Sequence, residues 1–193
     1  MISDNKIIWA HSGIGKTYLY NQGRSDIIDF DIQYKGLLGG SLSFPELLLN
    51  YNLPKEISDK IKNNSKLLVY RLFDLAIEES KTTGKKLLVS DIRLLRERIN
   101  DFDCIITIPK DIYIQNTLHR GELSFNARCV IKDYIDKVID SIEDKSKITE
   151  VTCYLSEILP ISDETKTLSN KEQQKDLIER FKYLSTKLLK LEK

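Results

Sequence analysis

Apolar residues fall into short unbroken runs separated by stretches with helical spacing. Lys6–His11 (KIIWAH) reads as a buried strand that ends at Gly13 and Gly15. A helix over Thr17–Asn21 follows, stopped near Gly23, and Asp26–Ile32 (DIIDFDI) is a second strand. Residues 33–54 lack periodicity and are punctuated by Gly36, Gly39, Gly40, Pro45 and Pro54. A segment this long is no simple turn, and long loops often carry function. Leu68, Leu72, Leu75 and Glu79 predict a helix over Ser65–Ser80 with an apolar side for a sheet. Lys86–Ser90 is a third strand, Asp91–Asn100 an Arg-rich helix, and Cys104–Ile108 a fourth strand closed by Pro109.

Ala127, Val130, Ile131, Tyr134, Ile135, Val138, Ile139 and Ile142 form the clearest amphipathic helix, and Val151–Leu155 is a fifth strand. Leu177, Phe181, Leu184, Leu188 and Leu191 share one stripe of a C-terminal helix over 169–193. The stripe resembles a short coiled-coil seam, which would give a homodimer through that helix. It is shorter than the three to four heptads of a true coiled coil, so packing on its own domain is the favoured reading. Strands alternating with helices predict an α/β fold. It is a single three-layer domain over 1–193, with a parallel sheet of about five strands and helices on both faces. Ligands then bind at the carboxyl ends of the strands.

Composition narrows the partners. With 30 Lys and Arg against 29 Asp and Glu in 193 residues, the formal charge of +1 disfavours a dedicated nucleic-acid binder. No apolar run approaches the ~20 residues of a membrane span. The N-terminus lacks the apolar stretch of a secretory signal. Cys104, Cys129 and Cys153 form no CxxC pair, which suits core thiols in a reducing cytoplasm. With only two histidines, His11 and His119, a His-based zinc site is not expected.

Residues 10–17, Ala-His-Ser-Gly-Ile-Gly-Lys-Thr, match the phosphate-binding pattern GxxxxGK[ST] except that Ala10 replaces the first Gly. The pattern follows a strand and opens a helix, which is the required context. Ser12, Gly13, Ile14, Gly15, Lys16 and Thr17 would cradle a triphosphate with inward N–H groups. Lys16 would reach the β- and γ-phosphates and the Thr17 hydroxyl would ligate Mg²⁺. Asp91, at the tip of strand three, is a second candidate for the Mg²⁺ shell; a helix N-cap is its other reading.

The class of phosphate chemistry is narrowed by absences. No Asp-x-x-Gly switch element occurs, Asn170-Lys171 lacks the following Asp of a guanine reader, and no Leu-Ser-Gly-Gly-Gln signature is present. A small kinase needs an acceptor pocket, cations and a mobile cover. Asp29 and Asp31 alternate around Phe30, so they should share one side of strand two, where they would orient an acceptor hydroxyl, contact a sugar or bind water on Mg²⁺; a strand-end pair facing solvent is the other reading. Arg93 is a candidate phosphate clamp, whereas Arg96 is a solvated helix charge. Arg120, beside Gly121, and Arg128 are candidate transition-state cations on a closing loop.

Four stretches resemble phage-type P-loop nucleotide kinases, including the deoxynucleoside monophosphate kinases. They are HSGIGKT at 11–17, IIDFDIQYK at 27–35, LLVSDIRLLRERI at 87–99 and QNTLHRGELSFNAR at 115–128. The third looks like the family's Ser-Asp-x-Arg…Glu segment, on Ser90, Asp91, Arg93 and Glu97. The fourth looks like its Arg-Gly lid, with Gln115, Asn116 and His119 where charged residues are usual. The resemblance implies ATP as donor, Mg²⁺ as cofactor and a nucleoside or deoxynucleoside monophosphate as acceptor. Residues 33–64 would form the acceptor-binding insertion and 115–128 the lid. It further implies a cytoplasmic setting in a phage-infected or prophage-carrying bacterium. Rival readings are a P-loop hydrolase acting as a switch, a kinase acting on nucleic-acid hydroxyls, and a non-catalytic nucleotide-binding module.

Overall fold

A computed structural model describes residues 6–38, 55–118, 124–161 and 165–190. Five strands form one parallel sheet: β1 (Ile7–Ala10), β2 (Ile27–Asp29), β3 (Lys86–Val89), β4 (Cys104–Thr107) and β5 (Ile148–Glu150), in the order β2-β3-β1-β4-β5. The central strands are continuous apolar runs because both of their faces are covered. Alternation divides each run between two cores. Ile7 and Trp9 of β1 face one layer, and Ile8 and Ala10 face the other.

The helices sort onto these faces. The second layer holds α1 (Lys16–Asn21), α5 (Lys110–Leu118) and α7 (Leu155–Ile158), through Leu19, Tyr113 and Leu155. The first layer holds α2 (Phe30–Gln33), α3 (Lys55–Thr83), α4 (Ile92–Glu97), α6 (Phe125–Asp140) and α8 (Asn170–Lys190). The expected α/β architecture is therefore present among the described residues.

Several elements differ from the sequence reading. The helix expected over Ser65–Ser80 runs from Lys55 to Thr83, so 55–64 of the expected acceptor insertion are helical. Strand two ends at Asp29 rather than Ile32, because the Asp29 side chain accepts from the N–H groups of Asp31 and Ile32 and starts α2. The fifth strand is Ile148–Glu150, ahead of the predicted Val151–Leu155. As a half-exposed edge strand it carries no apolar run, and the apolar Val151 and Leu155 instead pack into the second-layer core, Leu155 as the first residue of α7. The amphipathic helix is α6, but its first turns present the opposite face to that expected. Ile135 and Ile139 are buried, whereas Val130, Ile131 and Tyr134 are exposed and Arg128 and Lys132 are buried.

The C-terminal stripe packs on its own domain: Leu177, Phe181, Leu184 and Leu188 are all buried in the first layer. This removes the face that a homodimer through the helix would have used; Leu191 lies outside the described residues. A half-buried ion pair fixes the docking. Arg180 on α8 makes a two-pronged contact with Glu79 on α3, Nη2 donating to Oε1 at 2.8 Å. Tyr34 Oη also donates to Glu79, and the Arg180 guanidinium lies 5.2 Å from the Tyr34 ring centroid. Burial opposes the Glu79 charge, yet Arg180 holds its carboxyl below the ordinary range. The network anchors Tyr34 and hence the adjacent Lys35. No helix among the described residues is long and apolar enough to cross a membrane. Of the three free thiols, Cys104 is buried and Cys129 and Cys153 are half-buried, so only one is a core residue.

Because Phe181 is an intramolecular core residue, Phe181→Ala should cost about 3–5 kcal/mol in urea unfolding. A near-neutral substitution would show that α8 does not dock as described.

Candidate phosphate-binding site

β1 and β3 are neighbours, yet the chain leaving β1 enters α1 in the second layer while the chain leaving β3 enters α4 in the first. Their carboxyl ends therefore open into the crevice of a topological switch point, where α/β sheets bind ligands. The 11–17 loop and Ser90-Asp91 lie at that edge.

The loop has the backbone that its glycines permit. Gly13 (φ 90°) and Gly15 (φ 97°) are both left-handed, and Gly15 caps α1. Ile14 is fully buried, and its carbonyl accepts from Leu155 N at 3.0 Å. Lys16 is buried and folds back, Nζ donating to Ala10 O at 3.4 Å. Thr17 is half-buried. Ala10 still belongs to β1, paired with Ile106, and its methyl joins the second-layer core. A glycine is thus not required where the pattern usually has one. A Cβ at Gly13 would meet the Thr117 methyl at 3.1 Å, and one at Gly15 would meet the Tyr154 ring at 3.5 Å. Tyr154 Oη donates to Asn116 Oδ1 at 3.1 Å, linking the two residues that flank the turn.

His11 is fully enclosed, against Tyr113 with ring centroids 4.7 Å apart. Its Nδ1 lies 3.0 Å from Ser12 O, which only accepts, so Nδ1 carries the proton. Nε2 has no hydrogen-bond partner among the described residues. Burial pushes the imidazole down to about 4, against the Ser12 contact and with help from the Lys132 and Lys16 charges. His11 is therefore neutral at pH 7.

Three carboxylates follow the neighbouring strands. Asp29 is fully buried; Oδ1 accepts from Asp31 N at 3.0 Å and Ile32 N at 3.3 Å, while Oδ2 has no partner among the described residues. Burial and then the Asp31 charge push its carboxyl up to about 7, against the opposing pull of Lys16 and the two amides. Asp31 sits on the first turn of α2, so the two acids are not alternate residues of one strand as expected. Ser90 Oγ donates to Asp31 Oδ2 at 2.5 Å, and Lys35 Nζ lies 3.8 Å from Oδ1.

Asp91 takes the N-cap role. It accepts from Arg93 N and Nε, both at 3.0 Å, on Oδ1, and from Arg93 Nη2 at 2.7 Å and Lys35 Nζ at 2.9 Å on Oδ2. Burial disfavours its charge, but Arg93 and Lys35 outweigh burial and hold the carboxyl well below the ordinary range. Four donors leave little of either oxygen for a metal, so the expected Mg²⁺ ligation by Asp91 does not fit this arrangement. Asp29 Oδ2 does fit, as a buried carboxyl oxygen with no hydrogen-bond partner among the described residues. No cluster of three His, Cys, Asp or Glu suited to a metal occurs among the described residues. Mg²⁺ does not require one, since it keeps waters and phosphate oxygens as ligands.

The cations divide. Arg93 is clamped on Asp91, and Arg96 is a solvated charge beside Glu97. Arg128 is buried on α6, not a surface cation. Arg120 and His119 lie outside the described residues, as do 39–54 of the acceptor insertion. The residues that sequence reading missed are Lys35, Lys132 and His11. Lys35 stands four positions after Asp31 and Lys132 four after Arg128, a spacing that shares a helix face. Comparison with family models, with curated proteins and with solved structures finds no match.

Folding raises the Asp29 pKa above its ordinary 3.8, so this group favours the fold most below pH ~4 and progressively less as pH rises through 7. Asp29→Asn keeps the Oδ1 cap and removes the charge. Its Tm should exceed that of the parent by on the order of 5 °C at pH 8, with the gap closing by about pH 4.5. A pH-independent difference would contradict the buried-acid description.

Proposed function

We propose that the chain is an ATP-dependent phosphotransferase that moves the γ-phosphate onto a nucleoside or deoxynucleoside monophosphate, or a small acceptor of like size. The observation that carries this reading is the left-handed pair Gly13 and Gly15 at the end of β1, with Lys16 beside it and carboxylates across the switch-point crevice. Such a turn directs successive N–H groups inward, the donor set that polyphosphates seek. Lys16 would leave the Ala10 carbonyl for the β- and γ-oxygens. The Thr17 hydroxyl and Asp29 Oδ2 would hold Mg²⁺, which when bound neutralises charge on the donor phosphates.

The acceptor would enter from the β2–β3 side, where Asp31, Ser90, Lys35 and Arg93 form a mixed-charge rim. Asp91 keeps Lys35 and Arg93 oriented without binding ligand itself. Arg128, with Arg120 from the lid-like segment, would stabilise the moving phosphoryl group. The built rim favours transfer over simple hydrolysis, since a hydrolase needs room only for water. The near-neutral net charge disfavours a nucleic-acid acceptor.

With MgATP and a panel of nucleoside monophosphates, ADP formation should depend on one acceptor class. Lys16→Ala should lower it by roughly a hundredfold or more while leaving the far-UV spectrum intact. Equal ADP release with and without acceptors would establish a hydrolase instead.

A further inference from the structure

Helix α6 is inside out in its first two turns. Val130 is 68% exposed, and Ile131 and Tyr134 also face solvent, while Arg128 and Lys132 are each only 3% exposed. Long cations ordinarily lie along the surface with their heads in water. Burying two, one turn apart on the same face, is unfavourable unless anionic partners await them.

The position of that face is fixed by the connections. After α6 the chain passes through a short 3₁₀ turn, Lys145–Lys147, into the start of β5. Because the sheet is parallel, α6 must run from the carboxyl edge towards the amino edge, so its first turns lie at the same edge as the 11–17 loop. The electrostatics agree. His11, within the loop, feels the charges of Lys132, Lys16 and Asp136 together. The charges of Lys16 on α1 and Lys132 on α6 thus both reach one imidazole.

In this structure Lys132 Nζ is paired with Asp136 one turn along the helix. The pair is lopsided, with the lysine side chain 3% exposed and the aspartate 39%. The cation is committed to the interior; its counter-ion sits at the rim, where water already competes for it.

We propose that Lys132 is a further phosphate-binding residue of this site and that Asp136 is its exchangeable partner, displaced by a polyphosphate oxygen when the donor binds. The proposal rests on the triphosphate-binding reading above. A phosphate brings more negative charge than one carboxylate, and Lys132 on α6 would complement Lys16 on α1. The apolar residues then take the exposed face of α6 because the inward face is committed to cations.

The exchange predicts effects of opposite sign, which a purely structural ion pair does not. Titration calorimetry with inorganic tripolyphosphate, and separately with MgATP, should be run on the parent protein, Lys132→Met, Lys132→Arg and Asp136→Asn. Lys132→Met should bind tripolyphosphate roughly tenfold or more weakly, and Lys132→Arg should stay near the parent. Asp136→Asn should bind severalfold more tightly, because the competitor is gone. Weakening in both Lys132→Met and Asp136→Asn, or no change in Lys132→Met, overturns the proposal. Should Lys132→Met fail to fold, Asp136→Asn decides alone: tighter binding supports the exchange, and equal or weaker binding overturns it. A folded parent protein that binds neither tripolyphosphate nor MgATP removes the triphosphate reading itself. Intact parent binding with the wrong signs removes only the role of Lys132.

Discussion

A chain leaving a buried parallel strand must satisfy its backbone polar groups where the ladder ends. At the end of β1 two left-handed glycines bend the chain over its own strand end, and Lys16 returns to the Ala10 carbonyl. The surroundings are arranged around that turn. Thr117 and Tyr154 pack against its glycines, Leu155 bonds the Ile14 carbonyl, and His11 is sealed beneath Tyr113. A larger side chain at Gly13 or Gly15 would be strained by its φ before it met any neighbour.

Charge at the sheet edge follows from the same constraint. The cations at this edge are neutralised within the protein. Asp91 holds Lys35 and Arg93, and Asp136 holds Lys132. Asp29 is the exception, since its second oxygen has no donor among the described residues and its ionisation is pushed up into the neutral range by burial. Farther out, the Glu79–Arg180 pair and Tyr34 tie α3, α8 and the residue before Lys35 together. The scaffold thus extends from the C-terminal helix to the rim of the crevice.

Much of this was legible in the residues. Unbroken apolar runs identified β1, β3 and β4, because strands covered on both faces need no alternation. The loop motif was legible because its geometry demands particular residue types. Three features were not. β5 is an edge strand whose burial comes from only part of its surface, so its sequence, Ile148–Glu150, carries no run. The end of β2 is set by one side chain capping the next helix, and Asp29 reads equally well as a strand residue. The orientation of α6 is decided by what lies beneath its first turns; its periodicity selected the apolar face, and the folded protein buries the charged one.

A polyphosphate held by the loop would be read directly from the backbone amides. In ¹⁵N-labelled protein titrated with MgATP, the amides of Gly13, Ile14, Gly15, Lys16 and Thr17 should show the largest saturable shifts, followed by those around Asp29. Saturable binding that leaves these amides unmoved, or no binding by a folded protein, would contradict a phosphate cradle at the end of β1.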